Sequence, residues 1–254
     1  MQKIKVVILA AGKGKRMGSD KQKALMEICG KPMIGHLLDA IEESGIGTRP
    51  IVVYGHGGQE LVEYVKDRAD VVLQAEQLGT GHAVAVTREV VGEADLLLVL
   101  YGDSCLVSAE TIKKIVAYYE SRPAPIIMGV GTVESFEGWQ ESFKGFGRIL
   151  RDEHEMITAI REAKDATPEE LAVKEVNPAY YVFETKWLWD HIDKIGTENV
   201  QGEVYLTDLI KMAVDQGEPV RTYPIPIEEC VGCNRPEELE IAEELMKKRN
   251  TCAS

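Results

Sequence analysis

The segment Leu9-Ala10-Ala11-Gly12-Lys13-Gly14-Lys15-Arg16-Met17 combines two things that phosphate chemistry needs: a closely approachable main chain and positive charge. Glycine lets backbone N–H groups come near an anion, and turned amides can cradle it. Lys13, Lys15, Arg16, Lys21 and Lys23 place five cations within eleven residues of a chain whose formal net charge is -13. That local inversion points to a polyphosphate ligand, with a solvated basic loop as the alternative. The dinucleotide fingerprint G-x-G-x-x-G fails, because Met17 stands where its third glycine would, and the Walker pattern is absent.

Three more segments have chemistry-bearing ends. Gln74-Ala75-Glu76-Gln77-Leu78-Gly79-Thr80-Gly81-His82 offers an amide with both a donor and an acceptor, beside glycines that would admit a flat base edge. His82 in this setting reads as a helix-start or core histidine rather than a base. Asp103 comes just after the nearly all-apolar run Asp95–Tyr101 and Gly102, so its carboxylate is either a hard-cation ligand or a helix-capping or turn residue. Asn234 follows Val231-Gly232-Cys233 and is either a second oxygen ligand or a turn residue.

The elements that would position these residues alternate. Short β-branched or apolar runs at Lys5–Leu9, Pro50–Tyr54, Asp70–Gln74 and Asp95–Tyr101 read as strands. Met33–Ser44, Gln59–Arg68, His82–Val91 and Ala109–Glu120 have helical spacing between them. This rhythm predicts an α/β fold, a doubly wound and mostly parallel sheet. In such a sheet ligands sit beyond the carboxyl ends of the strands, where the four segments lie. The second part is less regular. Strands are expected at Ala124–Val133, Gly147–Arg151, Val176–Phe183 and Val220–Pro224. Helices are expected at Lys186–Ile192, Leu206–Gln216 and Pro236–Lys248, with a frayed tail over Arg249–Ser254. No linker or internal repeat divides the 254 residues, which read as one unit with a strand-rich insertion around 134–180.

Composition removes several classes of function. The chain has 29 Lys+Arg against 42 Asp+Glu, with no basic excess of the kind nucleic-acid or anionic-membrane binding requires. No apolar run approaches the roughly 18 residues of a membrane span, and Val6–Ala11 is too short for a signal segment. A cytoplasmic protein is expected. Five cysteines make no disulfide framework. Cys230-Val231-Gly232-Cys233 lacks the partners a structural zinc needs, and reads as two unrelated thiols at a strand end.

Taken in order, these segments resemble the sugar-1-phosphate nucleotidyltransferases. The likeness is nearest to the uridylyltransferase domain of the bacterial bifunctional enzymes that make UDP-N-acetylglucosamine. It rests on LAAGKGKRMGSDKQKAL, Gly30-Lys31-Pro32-Met33, Gln74–Ala83, Tyr101–Asp103, Gly147–Arg151, Glu162–Thr167, Glu175–Asn177, Gln201–Asp208 and Gly232-Cys233-Asn234, covering nearly the whole chain. The resemblance implies a Rossmann-like nucleotidyltransferase fold with a nucleotide part over 1–133, a sugar part over 134–235 and a closing helix and tail over 236–254. It implies UTP and a sugar-1-phosphate as partners and Mg²⁺ as cofactor. Arg16 and Lys23 would be catalytic. Leu9, Ala10, Ala11, Gly12, Gly14, Gln74, Gln77, Gly79, Thr80, Tyr101 and Gly102 would hold the nucleotide. Gly147, Glu162, Asn177, Tyr205 and Thr207 would hold an N-acetylhexosamine, and Asp103 and Asn234 the metal.

Such a transfer needs alignment and charge neutralisation more than a protein nucleophile. Three departures from the family pattern stand out. Gln22 replaces its proline before Lys23, which is expected to loosen the loop that aims this lysine. Lys15 replaces a threonine. Asn177-Pro178-Ala179 replaces Asn-Thr-Gly in the sugar segment, which leaves the sugar open. The hexapeptide repeats of the family's acetyltransferase domain are missing, so neither acetyl transfer nor coenzyme A is expected, and the oligomeric state is open. The alternatives are another sugar or nucleotide, a catalytically silent nucleotide-sugar sensor, and a redox protein using Cys230 and Cys233.

Overall fold

The computed structural model describes residues 2–12, 14, 22–46 and 49–252. Lys13, Lys15, Arg16 and Lys21, on which part of the phosphate-loop expectation falls, lie outside the described residues.

A ten-stranded sheet forms the centre of the molecule. Its first half is parallel. β1 (Ile4–Leu9) lies between β2 (Ile51–Gly55) and β4 (Leu96–Tyr101), and β3 (Asp70–Gln74) extends the sheet beyond β2. The run Leu96 to Leu100 is buried throughout, as a parallel strand covered on both faces must be. Alternate side chains feed two cores. Val6 and Ile8 with Leu96, Leu98 and Leu100 face α1 (Met33–Ser44) and α5 (Ala109–Ser121). Val7, Leu9, Leu97 and Val99 face the other side, where α3 (Thr80–Ala85), α7 (Thr185–His191) and α8 (Asp208–Asp215) pack. The helices between these strands also include α2 (Gln59–Val65) and α4 (Arg88–Val91).

The second half is antiparallel. β5 (Ile126–Thr132), β6 (Gly147–Arg151), β7 (Ile157–Arg161), β8 (Glu175–Asn177) and β9 (Tyr181–Glu184) complete the sheet in the order β3-β2-β1-β4-β9-β5-β8-β6-β7. β10 (Val220–Pro224) runs parallel to β5, α6 (Pro168–Leu171) precedes β8, and α9 (Pro236–Cys252) closes the chain. Among the described residues no helix is long and apolar enough to cross a membrane.

Several element boundaries differ from expectation. The helix expected over His82–Val91 is two short helices, because the buried Thr87 hydroxyl bonds back to Val84 O at 2.7 Å and interrupts the ladder. The closing helix runs to Cys252, past the expected fraying point. The strand β7, the hairpin of Glu27–Ile28 with Lys31–Pro32 and the 3-10 segment Gly138–Gly145 carry too little periodicity to be read in advance.

The strand expected over Val176–Phe183 is broken. Glu175 pairs with Thr132 and Tyr181 with Met128, so six steps along this side match four along β5. The two extra residues fall at Pro178 and Ala179, between β8 and β9. Pro178 has no N–H for the ladder, and Ala179 takes φ +64°. The Asn177 carboxamide stabilises the bulge, accepting from Ala179 N at 3.0 Å and donating to the Tyr181 hydroxyl at 2.6 Å.

Candidate active site

The carboxyl ends of β1, β3 and β4 open into one cleft. Its first compartment, about 270 Å³, is lined by Leu9–Gly12, Lys23, Gln74, Gln77, Gly79, Thr80 and Tyr101–Asp103. A second compartment, about 280 Å³, is lined by Gly147, Glu162, Asn177–Ala179, Tyr205, Thr207 and Asn234. The two share Thr80, Tyr101, Asp103 and Glu203. The tertiary structure therefore brings together nearly all of the sequence-derived candidates within the described residues, and Asp103 stands where the halves meet. Gly14 lines neither compartment; Arg16 is outside the described residues.

Backbone pairing past the strand ends sets this junction. Ala10 N donates to Val53 O and Gly102 N to Leu9 O, each at 2.9 Å. A Cβ on Gly102 would stand 3.0 Å from Ala10 Cβ, so glycine is what lets the chain turn beside β1 before Asp103. Lys23 enters from the other side on a 3-10 turn, Lys23–Leu25, anchored by buried Ala24 and Leu25. Gln22 takes φ -59°. A proline ring would impose nearly that angle, so the turn before Lys23 forms without one.

Lys23 Nζ donates to Asp103 Oδ2 and, at 2.7 Å, to Asn234 Oδ1. The Lys23 and Asp103 side chains are 20% and 14% exposed, so this contact is shielded from bulk water. Asn234 is held from behind. Glu238, on the first turn of α9, accepts from Asn234 N at 2.5 Å and Arg235 N at 3.1 Å. The Asn234 amide nitrogen donates to Gly232 O at 3.3 Å, which leaves its oxygen facing the cleft. A carboxylate oxygen and an amide oxygen thus converge on one cation. Hard oxygen donors of this kind suit Mg²⁺ completed by phosphate oxygens and water, so the residues fit the metal that the resemblance implies.

The turn at Gly79, between β3 and α3, is bound to the segment around Val204. Gly79 has φ +118°, and a Cβ there would lie 2.5 Å from Val204 O. Val204 N donates to Leu78 O at 2.7 Å, Gly81 N to Val204 O at 2.8 Å and Leu206 N to Thr80 Oγ1 at 2.9 Å. Gln77 donates its amide to Ala11 O, so it ties its own segment to the chain just after β1.

In the second compartment Thr207 Oγ1 donates to Glu162 Oε1 at 3.2 Å, and Gln201 Nε2 donates to the Tyr205 hydroxyl at 2.6 Å. Burial raises the Glu162 carboxyl above its ordinary range; Thr207 opposes the rise, while Asp165 and Asp208 add to it. Arg148, 1% exposed, positions the wall that carries Gly147. Its guanidinium donates to Phe146 O, to Phe143 O and Leu171 O at 3.2 Å and to Lys144 O at 3.3 Å, and lies 4.5 Å from the Phe136 ring centre.

Sequence reasoning passed over Glu203, which lines both compartments, although it sits inside the segment Gln201–Asp208 that supplied Tyr205 and Thr207. It also passed over Tyr181, the partner of Asn177. The cysteines pair differently from their spacing. Cys233 Sγ lies 4.0 Å from Cys105 Sγ and also faces Glu238 O, while Cys230 Sγ faces Pro226 O. Cys230 ends the 3-10 turn Ile227–Cys230, not a strand. The contact with Cys105, together with burial, pushes the Cys233 thiol up, and burial does the same to Cys230; thiols so held are poor nucleophiles. No group of three or more His, Cys, Asp or Glu side chains among the described residues could hold a metal.

Comparison with known proteins gives a consistent pattern. Residues 6–194 match the family model described as the MobA-like NTP transferase domain. The chain is 38% identical over 245 residues to the bifunctional protein GlmU of Exiguobacterium sp., covering 96% of this chain and 52% of that protein. It is 38% identical over 251 residues to GlmU of Thermoanaerobacter pseudethanolicus, covering 98% and 53%. The chain therefore spans about half the length of the curated relatives it matches. Among solved structures, a UDP-glucose pyrophosphorylase complexed with UDP-glucose superposes with a TM-score of 0.77 at 18% identity, over 98% of this chain and 100% of that one. A CMP:2-keto-3-deoxy-manno-octonic acid synthetase complexed with CTP gives 0.66 at 18% identity, over 97% and 99%. These structural likenesses concern the fold.

Proposed function

Because this chain belongs to the MobA-like NTP transferase family, we propose that it is a sugar-1-phosphate nucleotidyltransferase that moves a uridylyl group from UTP to N-acetylglucosamine-1-phosphate. The sugar phosphate oxygen attacks the α-phosphorus in line, a new P–O bond forms, and pyrophosphate leaves. The observation that carries this reading is the convergence of Lys23, Asp103 and Asn234 where the two compartments of the cleft meet. The GlmU name of the relatives supports the choice of activity.

Each residue has a stated task. The main chain of Leu9–Gly12, with Gly14, holds the triphosphate, and Arg16 balances charge on the reacting phosphates. A guanidinium suits that task because its fork reaches several oxygens at once. Gln74, Gly79 and Thr80 contact the base. Lys23 neutralises the α-phosphate and the incoming sugar phosphate, drawing the two anions together. Gly147, Glu162, Asn177, Tyr205 and Thr207 orient the sugar. Asp103 and Asn234 would hold Mg²⁺, which would supply Lewis-acid stabilisation of the phosphate charge. No side-chain nucleophile is needed.

A second reading, a different sugar-1-phosphate, is favoured by one feature. The Pro178-Ala179 bulge presents a wall of the second compartment that lacks the proline N–H and carries an extra methyl group. Pyrophosphate release from UTP and Mg²⁺ tests both readings, with N-acetylglucosamine-1-phosphate, glucose-1-phosphate or no sugar. Fast release with the N-acetyl sugar alone supports the first. Release with glucose-1-phosphate alone selects the second. Release with neither, together with tight UDP-sugar binding, would identify a silent sensor instead.

A further inference from the structure

We infer that His82 is a positioning residue that turns Gln74 into an acceptor-only reader of the base, an inference that rests on the nucleotide reading above. Gln74 ends β3 and is 3% exposed, so its amide protons must find partners within the protein. A carbonyl oxygen only accepts, so the amide atom 3.0 Å from Gly79 O is Nε2. The same nitrogen lies 3.1 Å from His82 Nδ1. One proton of the amide group goes to Gly79, and the other therefore faces Nδ1. That requires a lone pair on Nδ1, with the imidazole proton on Nε2.

Both donors of Gln74 are then used. Its Oε1 has no donor among the described residues, and the side chain lines the nucleotide compartment. The cleft thus offers the base an oxygen at this point and no N–H. Uracil answers with N3–H, whereas cytosine has a lone pair at N3 that the oxygen repels. Local geometry brings His82 here. Gly79 at φ +118° turns the chain sharply into α3, and His82 on its first turn comes back against the end of β3. Without His82, inverting the Gln74 amide forfeits one hydrogen bond instead of two, and an N–H can reach the base.

Two measurements on the full chain test this. Imidazole ¹⁵N NMR is expected to find His82 with a pyridine-type Nδ1 and a protonated Nε2; the opposite tautomer overturns the inference. Calorimetric titration with UTP and with CTP, in Mg²⁺ buffer, is then run on wild type, His82→Ala and His82→Asn. Wild type is expected to prefer UTP. His82→Ala should narrow the UTP/CTP ratio by about tenfold, the size of one neutral hydrogen bond. His82→Asn, whose amide oxygen replaces the Nδ1 acceptor, should restore it. An unchanged ratio in His82→Ala overturns the positioning role. A wild type that binds UTP and CTP equally would sink the nucleotide reading itself, a separate failure.

Discussion

Lys23 presents the chemistry of the cleft at the scale of one residue. Its ammonium sits between Asp103 and Asn234, the two oxygens proposed to hold a metal. Substrate phosphates and a divalent cation would take over both sides of that contact. Asp103→Ala should lower turnover by about 10³-fold, a magnitude usual for groups aimed at developing charge, and leave the fold intact, because β4 ends at Tyr101 and Asp103 lies beyond it. Pyrophosphate release measures this, and near-normal turnover would remove Asp103 from the metal site. Glu162 gives a pH signature. Its raised carboxyl keeps a proton in the folded chain at pH values where the unfolded chain has released it. Its contribution to stability is present below the ordinary carboxylate range and is lost as pH rises through the raised value. Glu162→Gln keeps an acceptor for Thr207 and removes that loss. We expect its Tm at neutral pH to rise, by roughly 2–4 °C for each kcal/mol recovered, while the KM for the sugar phosphate worsens. A Tm that falls at neutral pH in Glu162→Gln would contradict this account.

Elements act by bringing loops into contact. The turn at Gly79 leans on the main chain of Val204, close enough that a methyl group has no room. Gly79→Ala adds both a clash and positive-φ strain, so it should cost about 2–3 kcal/mol or more by thermal denaturation. A variant as stable as wild type would mean that the two segments can separate freely. At the β8–β9 bulge the opposite change is informative. Ala179→Gly relieves a non-glycine residue at φ +64°, but it also frees the unfolded chain, and the two effects offset within about 1 kcal/mol. Its main expected consequence is a shift of several-fold in the kcat/KM ratio between N-acetylglucosamine-1-phosphate and glucose-1-phosphate. A ratio that stays fixed would make the bulge a purely structural device. Arg148 shows why the facing wall keeps its shape, since one buried guanidinium ties together four main-chain carbonyls.

For the whole molecule, the sheet order joins a parallel half bearing the first compartment, proposed for the nucleotide, to an antiparallel half bearing the second, proposed for the sugar. A ligand spanning the junction should stabilise both halves together. UTP with Mg²⁺ at about a hundred times its Kd should add about 2.7 kcal/mol, a Tm rise of roughly 5–10 °C for a chain of this size. Removing the metal with EDTA should abolish most of that rise. A full shift in EDTA would show that the nucleotide is held without a cation at Asp103 and Asn234.

Residues 1–133 were largely legible from the chain itself, because periodicity is a local property. The all-apolar run Leu96–Leu100 announces a strand buried on both faces, and Met33, Ile34, Leu37, Leu38 and Ile41 announce one face of a helix. The strand ends also named most candidates, since a polar residue directly after a buried strand has only the cleft to enter. Pairing over long separations was not legible. Lys23 meets partners 80 and 211 residues away, Cys233 faces Cys105 rather than Cys230, and Glu203 joins both compartments. Pro178 and Ala179 looked like strand residues until the register of β5 left two of them over. Local pattern encodes which elements form. Only strand order and register, which depend on how the whole sheet buries its two cores, decide which of their ends meet.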